Sequence, residues 1–167
     1  MHTVAEFTEA QYHSALELTS PTVDPAIVPE PVVDEAVFVL EKYLEEFIVG
    51  NFDAIFQGQF KIFIDSDGHN GQQYTTDIGP IDILAFEPSS NAFVVIELKR
   101  NHSSDQVVGQ ILRYMGWIKQ NLCKPGQLVK GLVICRSADP KLIFALSMSA
   151  NVDVRYYSVS FKLSETC

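Results

Sequence analysis

Cysteine is scarce in this sequence, which has only Cys123, Cys135 and Cys167 among its 167 residues. An odd number of widely separated cysteines, with no CxxC pair, argues against a disulfide framework and against a zinc site. Unpaired cysteines of this kind are typical of a reducing compartment. We therefore expect a cytoplasmic protein.

Long hydrophobic runs are also missing, although hydrophobic residues make up 47% of the chain and charged residues 20%. No apolar run approaches the roughly 20 residues that cross a bilayer. The N-terminal sequence MHTVAEFTEAQ has no basic stretch followed by an apolar one, so it does not form a secretory signal. The sequence predicts a globular protein of one domain without a membrane partner.

Several catalytic motifs are absent. There is no G-x-S-x-G elbow, which argues against Ser/His/Asp hydrolysis. There is also no Walker loop and no dinucleotide fingerprint. His69 lies in the turn sequence DGHNG, which is similar to an HNH loop, but a solvated turn residue is the better interpretation of a single histidine.

Basic residues are almost absent from the first 60 positions, which hold 11 acidic side chains and only Lys42. Residues 61–167 hold 10 acidic and 11 basic side chains, so the net charge of −9 belongs to the N-terminal third. Four prolines and little periodicity predict that residues 1–33 form an acidic, proline-rich arm that the rest does not need for folding. Residues 34–167 are then the folded domain.

The hydrophobic spacing of that domain predicts an α/β fold. A helix is expected over 34–49. The runs 81–87 and 92–99 predict an antiparallel hairpin, and the capping-box pair Ser103 and Gln106 opens a second helix. The remaining expected elements are strands over 59–64, 131–136 and 152–159 and a helix over 140–149. This order implies a mixed β-sheet with helices on both faces.

Charged residues interrupt the two apolar strands of the predicted hairpin. Asp82 lies within GPIDILAF, and Glu97 and Lys99 lie within FVVIELKR. Residues two apart project to the same face of a strand, so two carboxylates and an amine can meet on one side of the sheet. Carboxylate oxygens suit Mg²⁺ or Mn²⁺, and a lysine beside them suits phosphodiester hydrolysis. The alternative is a half-exposed hairpin with a Glu–Lys surface pair.

Two helices add candidates to this site. Gln110 and Tyr114 lie four apart, on one side of the second helix. On the first helix, Glu45 borders the apolar stripe, and Glu41 and Glu46 are its rivals. Ordinary solvated helix faces remain the alternative for all of these residues.

Basic side chains near the predicted site offer contacts to phosphate groups. Arg100 follows Lys99 directly, and Arg113 lies on the second helix. Arginine is well suited to contact the phosphates of a nucleic acid. A plain surface position is the alternative for each.

Asp82, Glu97 and Lys99 together form a D…ExK pattern, and four segments in a fixed order extend it. With them, residues 36–163 resemble the PD-(D/E)xK nuclease superfamily, and specifically the C-terminal catalytic domain of the NucS endonucleases. The segments that carry the resemblance are LEEFIVGNF, GPIDILAF, VVIELKR and VGQILRYMGWI.

The resemblance implies a restriction-endonuclease-like fold and a divalent-metal-dependent DNA endonuclease of DNA repair. Position by position it implies metal ligands at Asp82, Glu97 and Glu45, a catalytic Lys99, and supporting residues Gln110 and Tyr114. The sequence departs from the family in two ways. NucS proteins carry a separate N-terminal domain for DNA binding and dimerisation, and Pro80 stands where many relatives have arginine.

Two functions follow as expectations. The first is Mg²⁺- or Mn²⁺-dependent hydrolysis of DNA, which the complete set of site residues favours. The alternative is a nuclease-fold module that does not cleave and that binds DNA or a protein partner. For either function, the acidic arm is a candidate surface for a homodimer or a protein partner.

Overall fold

A six-stranded mixed β-sheet forms the centre of the protein. The computed structural model describes residues 31–103 and 105–159, without the side chains of 31–40 and 101–103. The predicted arm lies outside the described residues except for its last three. The helices are α1 (Pro31–Gly50), α2 (Phe52–Phe56), α3 (Gln106–Asn121) and α4 (Pro140–Ser147). The strands are β1 (Lys61–Ile62), β2 (Gln72–Thr76), β3 (Gly79–Glu87), β4 (Ala92–Ser103), β5 (Leu128–Ala138) and β6 (Val152–Tyr156).

The sheet order is β1-β3-β4-β5-β6, and β2 also pairs with β3. β3 and β4 form the predicted antiparallel hairpin, joined by a 3₁₀ turn over Pro88–Ser90 and by Asn91 in the left-handed conformation. β5 and β6 add in parallel to β4. The carboxyl ends of β4, β5 and β6 therefore lie at the same end of the sheet.

Each face of the sheet has its own apolar core. Alternate residues of β4 divide between the two: Phe93 and Val95 face one core, and Val94, Ile96 and Leu98 face the other. The first core is covered by α3 and α4, whose buried members include Val107, Ile111, Ile118 and Leu142. The second is covered by α1 and α2, with Ile48, Phe52 and Phe56. The predicted class, a mixed sheet with helices on both faces, is confirmed.

The elements differ from the predictions at several points, and three of the differences bear on the site. α1 begins at Pro31 instead of residue 34, because proline is well tolerated in the first turn of a helix. The predicted capping box is wrong: Ser103 is the last residue of β4, and α3 begins after Asp105. β2 was not expected, since QQYTT is polar and the hydrophobic pattern marks only Tyr74.

The turn end of the hairpin is held by a buried acid. Glu87 accepts hydrogen bonds from Lys130, Ser90 and Gln59, and it pairs with Lys130 over 2.5 Å. These bonds lower the pKa of Glu87 to about 2. Glu87 therefore has several partners, whereas the acids at the opposite end of the hairpin have few.

No described helix is both long enough and apolar enough to span a membrane.

Candidate active site

The candidate site lies where β3 and β4 separate. Their regular pairing ends with Ile83 opposite Ile96. One residue further along, Asp82 would lie opposite Glu97, but the two strands no longer pair through their backbones there. The Asp82 side chain bonds to the neighbouring strand instead. Its Oδ2 atom accepts a hydrogen bond from the Leu98 amide over 2.8 Å. The carboxylate of Asp82 is therefore fixed at the fork between the two strands.

Glu97 is the most buried acid of the site, with an exposed fraction of 0%. Neither of its carboxylate oxygens has a hydrogen-bond partner among the described residues. The Lys99 amine lies 3.8 Å from Oε2, on a side chain that is 29% exposed. Burial and the neighbouring Asp82 charge raise the pKa of Glu97 to about 8, although Lys99 and Arg113 oppose the change.

The pKa of Asp82 is also raised, mainly by burial. The hydrogen bond from Leu98 and the charge of Lys99 act against this shift, and the charges of Glu45 and Glu41 add to it. Acids of α1 therefore act on both carboxylates at this end of the hairpin. Such an accumulation of negative charge in a poorly hydrated place is a feature of cation sites.

Helix α1 brings two acids towards the site, not one. Glu41 acts on the pKa values of both Asp82 and Glu97, whereas Glu45 acts on that of Asp82. The Glu45 carboxylate is buried and already accepts hydrogen bonds from Gln72 and Gln73 of β2. Glu46 is exposed and pairs with Lys42, so it does not reach the site. The four-residue spacing of Glu41 and Glu45 is the signal in the sequence that both share a helix face.

Tyr114 and Gln110 form the wall of the site on α3. Tyr114 is buried, and its hydroxyl is hydrogen bonded to the Gln110 side chain. Burial and the charge of Glu97 raise the pKa of the hydroxyl. The same hydroxyl lies against Gly79, where an added Cβ would be 2.9 Å from it. The predicted Gln–Tyr pair is thus brought to the acids.

The two predicted arginines lie in different places. Arg113 is exposed on α3, and its charge lowers the pKa of Glu97. Arg100 follows Lys99 on β4, and its carbonyl accepts a hydrogen bond from the Tyr157 hydroxyl. There, with Arg136, it opposes the rise in the pKa of Tyr157 that burial causes. Of the two predicted arginines, Arg113 therefore acts on Glu97 and Arg100 acts on Tyr157.

A second group of possible metal ligands lies in the loop before β2. Ligand atoms of Asp65, Asp67 and His69 lie within 4.8 Å of one another. Among the described residues no other group of three meets this limit, so no three of Asp82, Glu97, Glu41 and Glu45 lie that close together. The loop group is mostly exposed, and Asp65 is occupied by the backbone amides of Asp67 and His69.

The residues of this site fall within a segment that matches a known family. The model for the endonuclease NucS C-terminal domain matches residues 40–157, well over half of the chain. The chain belongs to the NucS C-terminal domain family. The predicted resemblance to these nucleases is confirmed.

A named NucS relative is considerably longer than this chain. Endonuclease NucS of Sulfolobus acidocaldarius is 28% identical over 126 residues, which are 75% of this chain and 44% of that protein. The chain therefore spans less than half the length of this NucS relative.

Two solved structures share the fold of this NucS-family domain. A repair endonuclease from Pyrococcus abyssi has a TM-score of 0.55 at 19% identity, over 81% of this chain and 49% of that chain. An EndoMS–dsDNA complex has a TM-score of 0.56 at 17% identity, over 86% of this chain and 50% of that chain. At these identities the likeness shows the fold, and the predicted restriction-endonuclease-like sheet is confirmed.

Proposed function

We propose that this domain is a divalent-metal-dependent DNA endonuclease that hydrolyses phosphodiester bonds. The observation that carries the proposal is the Glu97 carboxylate. It is wholly buried, it has no hydrogen-bond partner in the part of the chain that the structure describes, and the charge of Asp82 acts on it. A buried carboxylate is unfavourable in its charged form unless a cation compensates it. The residues present therefore fit a bound cation, and the raised pKa of Glu97 reflects the protein without one.

Mg²⁺ or Mn²⁺ is the ion that we expect, because these cations bind through one or two carboxylates and retain several waters. Asp82 and Glu97 would hold the ion, with a third carboxylate from α1. The family resemblance implies Glu45 as that residue. We propose Glu41 instead, because the Glu45 carboxylate already accepts hydrogen bonds from Gln72 and Gln73, whereas the bond that Glu41 accepts from the Arg100 amide is long, at 3.4 Å. When bound, the ion supplies charge stabilisation at the phosphate and lowers the pKa of a bound water.

Lys99 is the proposed catalytic residue. A protonated amine donates hydrogen bonds and carries positive charge, so it does not coordinate the ion. Its position beside Glu97, with part of the side chain exposed, suits it to orient an attacking water or to stabilise charge on the phosphate. Tyr114, held by Gln110, would bound the site on the α3 side.

DNA is the proposed substrate. The curated relative is named an endonuclease, and one structural neighbour is described as a complex with dsDNA. Arg113 is exposed close to the acids and suits a contact to a phosphate near the reacting one. Arg100 lies near Tyr157, and we expect it to contact the backbone of the DNA further along. The structural neighbour from Pyrococcus abyssi is named a repair endonuclease, and we propose a role in DNA repair for this chain as well.

A module that binds without cleaving is the second candidate, and the net charge of −9 favours it. An acidic protein is repelled by the phosphate backbone except where a cation or a basic patch reverses the local field. In this case the acidic arm would contact a protein partner or a second copy of the chain. The two functions differ in whether the Asp82 site accelerates hydrolysis.

A plasmid-nicking assay with Mg²⁺, with Mn²⁺ and with EDTA separates the candidates. We expect nicking by the wild-type chain in the presence of metal and its loss in Asp82→Ala. Asp65→Ala is the matched control, since it removes a carboxylate from the loop group, and it should nick at the wild-type rate. The reverse pattern would place the catalytic ion at the loop. DNA binding without nicking under any condition would support the module.

A further inference from the structure

β4 contains an extra residue directly after Lys99. Its parallel pairing with β5 is regular from Ala92 opposite Leu128 to Lys99 opposite Cys135. Pairing resumes with His102 opposite Ser137, so three steps along β4 match two steps along β5. This irregularity is a β-bulge, which bends a strand and changes the direction of the side chains next to it.

Two side chains hold the bulge at Arg100. The Arg100 amide donates to Glu41 Oε1 over 3.4 Å, and the Arg100 carbonyl accepts a hydrogen bond from the Tyr157 hydroxyl over 2.5 Å. Tyr157 comes from a different part of the chain, directly after β6. Its own amide donates to the Cys135 carbonyl over 3.1 Å, which extends the pairing of β5 with β6. The Tyr157 ring packs against the core beneath α1.

We propose that Tyr157 is a positioning residue for Lys99, because its hydroxyl fixes the bulge that determines where the Lys99 amine points. This inference rests on the proposed function, in which Lys99 acts on the phosphate. The Lys99 side chain is partly exposed, and within the described part of the chain its amine is paired only with Glu97, over a long 3.8 Å. The direction of the strand is then the main constraint on a long, flexible side chain.

The physical consequence is a loss of orientation without a loss of metal ligands. Without the hydroxyl, the Arg100 carbonyl has one partner fewer, and the bulge can relax towards regular pairing. Lys99 would then swing away from Glu97, while Asp82 keeps its bond to the Leu98 amide. A displacement of about 1 Å at a reacting group can reduce a rate on the order of 10²-fold.

The first test is a double-mutant cycle on single-turnover cleavage of plasmid with Mn²⁺. Tyr157→Phe keeps the ring and removes only the hydroxyl, and we expect about 10- to 100-fold slower cleavage. Mn²⁺ affinity and the KM for DNA should remain at the wild-type values. Combined with Lys99→Ala, the substitution should have little further effect, because it acts through Lys99. If Tyr157→Phe slowed cleavage by the same factor in Lys99→Ala as in the wild type, the inference would be overturned. Tyr157 would then be a purely structural residue.

Tyr156→Phe is the matched control, since Tyr156 is the neighbouring residue and is 56% exposed. It should cleave at the wild-type rate. A fall in thermal midpoint in Tyr157→Phe with an unchanged rate at low temperature would also overturn the proposal. That result is what a merely structural hydrogen bond would produce.

A second measurement does not depend on cleavage. Reductive methylation with ¹³C-formaldehyde labels the lysine amines, and the signal missing from Lys99→Ala identifies Lys99 in an NMR spectrum. We expect this signal to shift in Tyr157→Phe and to stay in place in Tyr156→Phe. An unmoved signal would refute the positioning role. A shifted signal in a protein that never cleaves DNA would support the positioning and refute the proposed nuclease function.

Discussion

The Leu98 amide donates its hydrogen to Asp82 Oδ2 over 2.8 Å, at the point where β3 and β4 stop pairing through their backbones. One side-chain oxygen thus satisfies a strand amide that the sheet leaves without a carbonyl. The carboxylate is oriented by the same bond that completes the ladder. The pairing of the two strands and the proposed chemistry therefore both depend on Asp82. Different substitutions of this residue can separate the two roles.

Asp82→Asn and Asp82→Ala should differ in stability and agree in activity. The asparagine oxygen can still accept from Leu98, whereas alanine leaves that amide without its partner. We expect Asp82→Ala to lower the free energy of unfolding by about 1–3 kcal/mol and Asp82→Asn by much less. Both should lose cleavage, because both remove the charge. Urea denaturation in EDTA measures the difference, and equal destabilisation would show that the Leu98 bond contributes little.

The metal-free protein should lose stability as the pH rises from about 4.5 to about 8. The pKa of Glu97 is raised from 4.5 to about 8 on folding, so within this range the folded state retains a proton that the unfolded state has lost. The free energy of unfolding should fall by up to about 1.4 kcal/mol per pH unit. Glu97→Gln should flatten this dependence, as should saturating Mn²⁺. An unchanged slope in Glu97→Gln, measured by urea denaturation in EDTA, would contradict the assignment.

Lys99→Ala should abolish cleavage and leave metal binding largely intact. It removes a positive charge near the phosphate and spares both carboxylates. Loss of one preorganised stabiliser of charge typically reduces the rate by about 10²–10³-fold. Glu97→Gln is the counterpart, because it weakens the metal site itself. Calorimetry with Mn²⁺ should therefore show a lower affinity for Glu97→Gln alone. Cleavage by Lys99→Ala at the wild-type rate would show that Lys99 has no catalytic role.

Of the acids on α1, Glu41 should matter most for metal affinity. Its charge acts on both Asp82 and Glu97, whereas the Glu45 oxygens are engaged by two glutamines. We expect Glu41→Gln to lower Mn²⁺ affinity more than Glu45→Gln. Glu46→Gln is the control on the same helix and should match the wild-type affinity, since Glu46 pairs with Lys42. A larger loss in Glu45→Gln would restore Glu45 as the third ligand.

Gly79→Ala should destabilise the fold and disturb the site together. Gly79 has a φ of +118°, and an added Cβ would lie 2.9 Å from the Tyr114 hydroxyl. We expect a loss of about 1–3 kcal/mol in the free energy of unfolding. Gly116→Ala is the matched control inside α3, where a Cβ meets nothing within 4 Å. It should increase stability by about 0.5–1 kcal/mol, because alanine favours helix. Thermal or urea unfolding of the two variants tests the contrast.

The hairpin that carries the site was predictable, because each of its strands is a continuous apolar run and the turn between them is short. Asp82, Glu97 and Lys99 stood out for the same reason, as charges inside those runs. β2 escaped prediction because its side chains are mostly polar. The start of α3 was misplaced because a capping-box pattern also occurs by chance, and β4 extends through Ser103.

The sequence by itself determined the alternation of apolar residues along β3 and β4, and with it the face to which each charged side chain projects. Only the tertiary structure decided how the acids of α1 approach the hairpin. The helix spacing places Glu41 and Glu45 on the same face, but packing gives the two residues different neighbours. It also brought the Tyr157 hydroxyl to the Arg100 carbonyl, across a strand and 57 residues along the chain. Contacts at such separations depend on how the strands are ordered in the sheet, which local patterns do not encode.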